Sequence, residues 1–216
     1  MRKWILKSWK ENKSFLFFIA LMFVFRSAVA DWNEVPTGSM KPTIVEGDRI
    51  FVNKLAYDVR IPFTNISLLK LSDPVRGDII VFDSKASDKR LVKRVVGVPG
   101  DIVELKDNVL TINGERLGYK VVASTGSTVD KQEDLLGLEY TIRVDKHGSS
   151  LSSFQPVEVS AGYYLALGDN RDNSADSRVI GFVPRDEIVG RSRSVVLSLD
   201  YENFYIPRKE RFFRTL

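Results

Sequence analysis

Residues 36–43 read Pro-Thr-Gly-Ser-Met-Lys-Pro-Thr, and residues 91–94 read Leu-Val-Lys-Arg. The first stretch places Ser39 in a Gly-Ser-Met-x-Pro turn, and the second places Lys93 in an apolar run typical of a strand. A serine hydroxyl is a weak nucleophile unless a neighbouring base takes its proton. The chain has one histidine, His147, in a polar stretch that we expect to be exposed, and it has no cysteine. A serine–lysine pair is therefore the economical way for this chain to activate a nucleophile.

Lys93 serves as a base only if its pKa falls from roughly 10.4 toward neutrality, about three units or ~4 kcal/mol. Burial among apolar neighbours has this effect. In a strand over residues 90–98, Lys93 shares a face with Leu91 and Val95, and Arg94 points away. This alternation agrees with a buried lysine, although a half-exposed strand gives the same pattern. We expect other lysines, among them Lys54, to keep their ammonium groups in water.

The chain from residue 31 onward is predicted to be largely β. Asn113-Gly114 between alternating runs is a strong hairpin signal. The pattern favours an all-β fold, a partly closed antiparallel β-sheet domain over residues 31–216. Residues 118–160 are polar and are interpreted as an inserted smaller β subregion with a strand or two. Runs rich in β-branched and aromatic residues predict strands at 49–57, 78–82, 90–98, 101–105, 109–117, 139–144, 163–168 and 192–199.

Residues 14–30 form the apolar segment closest to membrane length, with an uninterrupted core from Phe15 to Phe25. We expect a transmembrane anchor there, with Arg26 at the interface and residues 1–13 cytoplasmic by the positive-inside rule. Residues 28–30, Ala-Val-Ala, also fit a cleavable signal peptide, and this alternative stays open. Either interpretation exports residues 31–216. Basic residues and flanking tryptophans support the orientation: Arg2, Lys3, Lys7, Lys10, Lys13, Trp4, Trp9 and Trp32.

The amino-acid composition limits the kinds of partner and ligand that we expect for this chain. The formal net charge is +4, and much of it lies at the N-terminal end, so we predict no nucleic-acid partner. Without cysteine there are no disulfides and no thiolate metal sites. Asp169, Asn170 and Asp172 lack the closing glutamate and spacing of an EF-hand. We therefore expect neither a metal nor a cofactor.

Four stretches occur in order that together resemble the signature boxes of bacterial type I signal peptidases. They are residues 36–43, residues 76–82 (Arg-Gly-Asp-Ile-Ile-Val-Phe), residues 93–101 (Lys-Arg-Val-Val-Gly-Val-Pro-Gly-Asp) and residues 168–178 (Gly-Asp-Asn-Arg-Asp-Asn-Ser-Ala-Asp-Ser-Arg). One such stretch is weak evidence, but four in order are specific. The resemblance implies a membrane-bound serine endopeptidase that removes signal peptides from exported preproteins at Ala-x-Ala-type sites.

The resemblance also implies roles for individual residues. Ser39 is the nucleophile and Lys93 the general base. The Ser39 amide and the Thr37 hydroxyl hold the oxyanion. A serine at position 174 hydrogen-bonds the lysine amine, and Asp176 pairs with Arg178 to brace the site, although a turn with a surface Asp–Arg pair is the simpler alternative. Ser39 and Thr37 likewise have a simpler interpretation, as residues that stabilise a turn.

By position in the matching stretches, seven apolar residues resemble those that line two small substrate pockets, and each is equally interpretable as core. Leu91 stands where relatives often have tyrosine, and Asn33 where an apolar residue is common. We expect the substrate to bind as an added strand. The pocket candidates are Val35, Pro36, Met40, Ile44, Ile50, Val81 and Val92.

The expected partners are preprotein signal peptides and membrane lipid, at the bacterial plasma membrane, with the catalytic domain outside the cytoplasm. A narrow-substrate relative, such as a conjugative pilin maturation peptidase, is the first alternative. A self-cleaving repressor peptidase is disfavoured because no DNA-binding helical pattern precedes Ser39. An inactive β-rich envelope binding module is disfavoured because Ser39, Lys93 and Ser174 are all present.

Overall fold

The computed structural model describes the backbone of residues 2–64 and 66–216, and the side chains from Asn12 onward except that of Asn65. Helix α1 spans Arg2–Ala28 and so runs without a break through the predicted boundary at residue 13. The side chains of Trp4, Trp9 and the basic residues before Glu11 lie outside the described residues. Within the described part of the chain, no helix combines the length and the apolar character needed to cross a membrane.

The rest of the chain is mostly β-sheet, as the sequence predicted. The other helix, α2, is one turn long, Ser177–Ile180. Short 3₁₀ turns cover Gly38–Met40, Lys54–Ala56, Arg185–Glu187 and Lys209–Arg211. The strands are β1 (Ala30–Glu34), β2 (Asp48–Asn53), β3 (Asp58–Arg60), β4 (Ser67–Lys70), β5 (Ile79–Ser84), β6 (Lys89–Gly97), β7 (Ile102–Lys106), β8 (Val109–Ile112), β9 (Glu115–Arg116), β10 (Gly118–Thr125), β11 (Thr128–Asp134), β12 (Glu139–Asp145), β13 (Phe154–Glu158), β14 (Tyr163–Leu167), β15 (Val183–Pro184), β16 (Ile188–Asp200) and β17 (Ile206–Pro207).

The main sheet has the strand order β1-β2-β16-β5-β6-β14-β15, and β17 adds to β16. Neighbouring strands in it are antiparallel. Strand β1 forms one edge of this sheet. Strand β14 pairs with β6 only at residues 94–97, so among the described strands residues 89–93 of β6 have a partner on one side, β5. Two unpaired backbone edges are therefore present near the predicted nucleophile and base.

The insert is more structured than the sequence predicted. Where one or two strands were expected between residues 118 and 160, the structure forms β10, β11, β12 and β13. Strands β10–β11–β12 make a separate sheet, whereas β13 joins β7, β8 and β9. The hairpin at Asn113-Gly114 links β8 to β9, and both residues have positive φ, 52° and 83°. Those angles are the ones that an Asn-Gly hairpin turn requires.

Strand β6 passes through the centre of the apolar interior. Its residues join three separate clusters of buried side chains: Val92 packs on one, Leu91 and Val95 on a second, and Val96 on a third. Lys93 lies in the middle of this strand and is 3% exposed. The packing of β6 therefore removes Lys93 from water, which is the environment that a neutral lysine needs.

Candidate active site

Ser39 lies on a short, well-anchored turn. Thr37 is extended (φ −132°, ψ 154°), and Gly38–Met40 then form a 3₁₀ turn in which Met40 is buried. The Asn170 backbone N–H donates to the Ser39 carbonyl at 3.0 Å, and the Asn170 side-chain amide donates to the Gly38 carbonyl at 2.9 Å. Thr37 is exposed and makes no side-chain cap bond to the turn. One asparagine therefore holds the turn from two directions.

Lys93 reaches the serine directly. Its Nζ lies 2.8 Å from Ser39 Oγ and donates to the Val92 carbonyl at 2.9 Å. Burial lowers the pKa of Lys93 to about 8; the charges of Asp176 and Asp169 oppose this shift, and that of Arg178 adds to it. A pKa near 8 leaves a useful fraction of neutral amine at physiological pH.

The 168–178 stretch packs against this pair. At Gly168 a Cβ atom would lie 2.2 Å from Ser174 Oγ and 2.5 Å from the Ser39 carbonyl oxygen, so only glycine allows this approach. Ser174 is 5% exposed, and among the described residues its Oγ has no hydrogen-bond partner. The bond from Ser174 to Lys93 that the resemblance implied is therefore not formed in this structure.

Asp176 and Arg178 form an ion pair behind the site. Both side chains are almost fully buried, and Arg178 Nε and Nη2 donate to the two Asp176 carboxylate oxygens at 2.8 and 2.6 Å. Asp176 also accepts from the Gly168 N–H at 2.9 Å and caps α2. Arg178 donates further to two backbone carbonyls, those of Leu151 and Arg171. The pair thus ties three segments together, in contrast to the surface pair that was the alternative.

A groove of about 650 Å³ runs over the Ser39–Lys93 pair. It lies between β1 and residues 89–93 of β6, and its far end reaches Arg26 at the end of α1. Four of the seven pocket candidates line it: Val35, Pro36, Met40 and Val92. The other three do not line it and are 0% exposed, in the apolar cluster that also contains Val35 and Met40: Ile44, Ile50 and Val81.

Sequence reasoning missed the groups that hold the site in place. Arg94 is buried and makes a two-point ion pair with Asp169, at 2.9 and 2.8 Å. The contacts of Asn170 were also missed, since nothing in the sequence pairs residue 170 with residue 38. His147 is exposed, as expected, and lines a separate cavity of about 370 Å³. The available signal was position in the sequence: Arg94 follows Lys93 directly, and Asp169 and Asn170 lie in the 168–178 stretch.

Chemically, the arrangement offers a serine hydroxyl in contact with a buried amine of lowered pKa, at the bottom of an open groove with two free strand edges. Such a site is suited to attack on the carbonyl of an extended peptide. A family model described as "Signal peptidase, peptidase S26" matches residues 6–197. The chain is a hydrolase of the serine protease class. It belongs to the signal peptidase family, peptidase S26.

Individual signal peptidases are also similar to this chain. Signal peptidase I of Pseudomonas fluorescens is 37% identical over 203 residues, which cover 87% of this chain and 72% of that protein. Signal peptidase I of Rickettsia bellii (strain OSU 85-389) is 33% identical over 222 residues, with 88% and 73% covered. The crystal structure of a signal peptidase I from Enterococcus faecalis V583 matches 56% of this chain and 98% of its own at 31% identity, with a TM-score of 0.37. That score is too low for a structural comparison.

Proposed function

We propose that this chain is a membrane-bound serine endopeptidase that removes N-terminal signal peptides from exported preproteins after Ala-x-Ala-type sites, using Ser39 and Lys93. The observation that carries the proposal is the 2.8 Å approach of Lys93 Nζ to Ser39 Oγ, with the Lys93 pKa lowered to about 8 by burial. Family membership supports signal-peptide removal as the reaction.

In the first half of the reaction, neutral Lys93 accepts the Ser39 proton as Oγ attacks the carbonyl carbon of the residue before the cleaved bond. The carbonyl oxygen becomes an oxyanion, to which the Ser39 N–H and the Thr37 hydroxyl donate. Each such donor is often worth ~3–4 kcal/mol in the transition state. Thr37 is exposed and its side chain makes no cap bond to the turn, which supports this assignment.

In the second half, protonated Lys93 gives its proton to the departing amine, and the mature protein leaves with a new N-terminus. The signal peptide remains as an ester on Ser39. Lys93, neutral again, accepts a proton from water, which attacks the ester carbonyl; Ser39 regains a proton and the signal peptide leaves as a carboxylic acid. These steps use only groups of the chain and water.

The substrate would lie extended between β1 and residues 89–93 of β6. Both segments run toward the Ser39–Lys93 pair, and each has an unpaired backbone edge among the described strands. Five residues of β1 span about 16 Å at ~3.3 Å per residue, so roughly five substrate residues fit before the cleaved bond. Four apolar side chains in the groove, those of Val35, Pro36, Met40 and Val92, would admit alanine and exclude bulk.

The bracing groups have separate roles in this proposal. Asp176, held by Arg178, fixes Gly168 and so keeps Ser174 near the nucleophile turn. The Ser174 hydroxyl is buried and unpaired among the described residues, and its role is to turn toward Lys93 Nζ once substrate is bound. A neutral amine needs such a partner to keep its lone pair on the nucleophile.

We place the enzyme at the bacterial plasma membrane, with residues 14–30 of α1 as a single-pass anchor and residues 31–216 outside the cytoplasm. The signal peptidase I family is membrane-associated in bacteria. Phe15, Phe17 and Phe23 are each more than half exposed and lie on different sides of the helix, so lipid is the natural partner for this apolar surface. The β3–β4 hairpin supports the same placement, because its exposed Phe63 donates a backbone N–H to Ser27 at the end of α1.

Cleavage of an Ala-x-Ala preprotein by purified protein in detergent tests the proposal. Ser39→Ala and Lys93→Ala should each lose at least ~1,000-fold in kcat/KM. Lys106→Ala is the matched control, since Lys106 is an exposed lysine at the end of another strand, β7, and does not line the groove. Activity that survives Lys93→Ala rejects the mechanism. A wild-type protein that cleaves no general preprotein instead favours a narrow-substrate peptidase.

A further inference from the structure

The polar insert, residues 118–160, contributes to a cluster of buried charged side chains. Glu133 on β11 is 0% exposed and Arg171, from the 168–178 stretch, is 1% exposed. The two terminal nitrogens of Arg171 donate to the two Glu133 carboxylate oxygens at 2.7 and 2.6 Å. Hydroxyl groups of Tyr119 and Tyr140, both on the insert, donate to the same carboxylate.

A second contact extends from this cluster toward the site. The Arg94 guanidinium lies over the Tyr140 ring, with its central carbon 3.9 Å from the ring centroid. Arg94 in turn holds Asp169 at two points, and Asp169 also accepts from Thr43 Oγ1 at 2.5 Å. Asp169 is therefore held by Arg94, which packs on Tyr140 of the insert, and Arg171 is held by Glu133 of the insert.

The residue between these two fixed points is Asn170, which holds the Gly38 and Ser39 carbonyls. The backbone of β12 supports the same stretch, because the Arg143 N–H donates to the Asp169 carbonyl at 2.8 Å and the Arg171 N–H donates to the Arg143 carbonyl at 2.8 Å. A shift of the insert would thus pass directly to the nucleophile turn.

We propose that Glu133 and Tyr140 are positioning residues for the reaction: they hold the 169–171 stretch so that Asn170 keeps Ser39 Oγ within reach of Lys93 Nζ. The inference rests on the proposed function. Buried ion pairs contribute little net stability compared with apolar packing, so a stabilising role alone is a poor account of this cluster. Reacting groups displaced by about 1 Å can lose on the order of 100-fold in rate, so a positioning role has a large effect.

The test compares three variants with a matched control. Tyr140→Phe removes the hydroxyl that donates to Glu133 and keeps the ring under Arg94. Tyr140→Leu removes both, and Glu133→Gln removes the charge. The control is Gln132→Ala, on the same strand, whose side chain donates to Glu139 at an exposed position.

The rate of each preparation is divided by the number of Ser39 sites that react with a serine-directed phosphonate. Unfolded protein is thereby excluded from kcat. We expect kcat to fall about 10- to 100-fold in Tyr140→Leu and Glu133→Gln and about 3- to 10-fold in Tyr140→Phe, with KM within threefold and the control unchanged. A kcat per reactive site within twofold of wild type in Tyr140→Leu overturns the inference. If Glu133→Gln does not fold, the two Tyr140 variants decide the question.

The rate of phosphonate reaction separates this inference from the proposed function. It requires only an activated Ser39, whatever the natural substrate. If the wild type cleaves no preprotein, the proposed function fails, and the phosphonate rate in the Tyr140 variants still tests the positioning role. Equal phosphonate rates in wild type and Tyr140→Leu overturn that role.

Discussion

Two lysines, Lys93 and Lys54, have lost much of their contact with water, and burial is the main cause of a lowered pKa in both. Lys93 has the serine hydroxyl and one backbone carbonyl as neighbours, and no carboxylate within ion-pair distance among the described residues. Lys54 donates to the Arg26 and Ser27 carbonyls at 2.8 and 3.1 Å, with Asp31 at 3.9 Å. Burial alone therefore does not make a base.

The difference lies in what each amine can do with its lone pair. Lys54 is surrounded by acceptors at the C-terminal end of α1, which favour the charged form. Lys93 faces a hydroxyl that can donate to a neutral amine. We therefore assign Lys54 to fixing α1 on the β domain and Lys93 to proton transfer.

The largest expected effect comes from replacing each lysine by methionine, which keeps the length and apolar stem. Lys93→Met should lower kcat/KM at least ~1,000-fold, because Lys93 is the base that contacts Ser39 Oγ and no other base lies beside it among the described residues. Lys54→Met should stay within about threefold on a short soluble peptide, since its contacts are with α1. Cleavage of such a peptide by both variants in detergent measures this. Comparable losses in the two variants would remove the distinction between them.

The pH dependence of kcat/KM gives the next largest effect. Only neutral Lys93 can accept the Ser39 proton, so kcat/KM should rise about tenfold per pH unit below pH 8 and level off above the Lys93 pKa of about 8. Lys54→Met should leave the apparent pKa of this rise in kcat/KM unchanged. An apparent pKa near 10 in the wild-type profile would mean that burial does not activate Lys93. A changed apparent pKa in Lys54→Met would give Lys54 an electrostatic role in the reaction.

The sequence predicted one of these lysines and misjudged the other, for a physical reason. Lys93 sits in an apolar run whose alternation agrees with burial, and the resemblance to signal peptidases assigned it the role of base. Lys54 was expected in water, but its partners Arg26 and Ser27 come from helix packing, which no local pattern reports.

The same limit applies elsewhere in the chain. The mostly β fold and the Asn113-Gly114 hairpin follow from strand periodicity and turn chemistry. Glu133 and Arg171 lie 38 residues apart, and their pairing depends on how the insert folds back. The insert was interpreted as a polar β subregion with a strand or two, and no buried charge was predicted in it, because a buried glutamate has the same sequence signature as an exposed one.

Stability gives the smallest effect and the sharpest contrast, because the two lysine variants should change it in opposite directions. The Lys93 pKa falls from 10.5 to about 8 on folding, so between these pH values the unfolded chain binds more protons and stability rises with pH. Below pH 8 the charged, buried Lys93 costs the fold about 3 kcal/mol by this linkage. Lys93→Met removes that cost and should raise the free energy of unfolding at pH 7 by about 1–3 kcal/mol, with the gain gone above pH 10.5.

Lys54→Met should instead lower the free energy of unfolding by about 1–2 kcal/mol, because it leaves the Arg26 and Ser27 carbonyls without their donor. Burial lowers the pKa of Lys54 as well, but less than that of Lys93, so the lost hydrogen bonds outweigh the relief of burying a charge. Lys89→Met, at an exposed position, should stay within about 0.5 kcal/mol of wild type. Urea unfolding in detergent at pH 7 and pH 11 measures all three. A destabilised Lys93→Met would mean that the ammonium group is favourably held in the folded protein, and Lys93 would then resemble Lys54 as an anchoring residue.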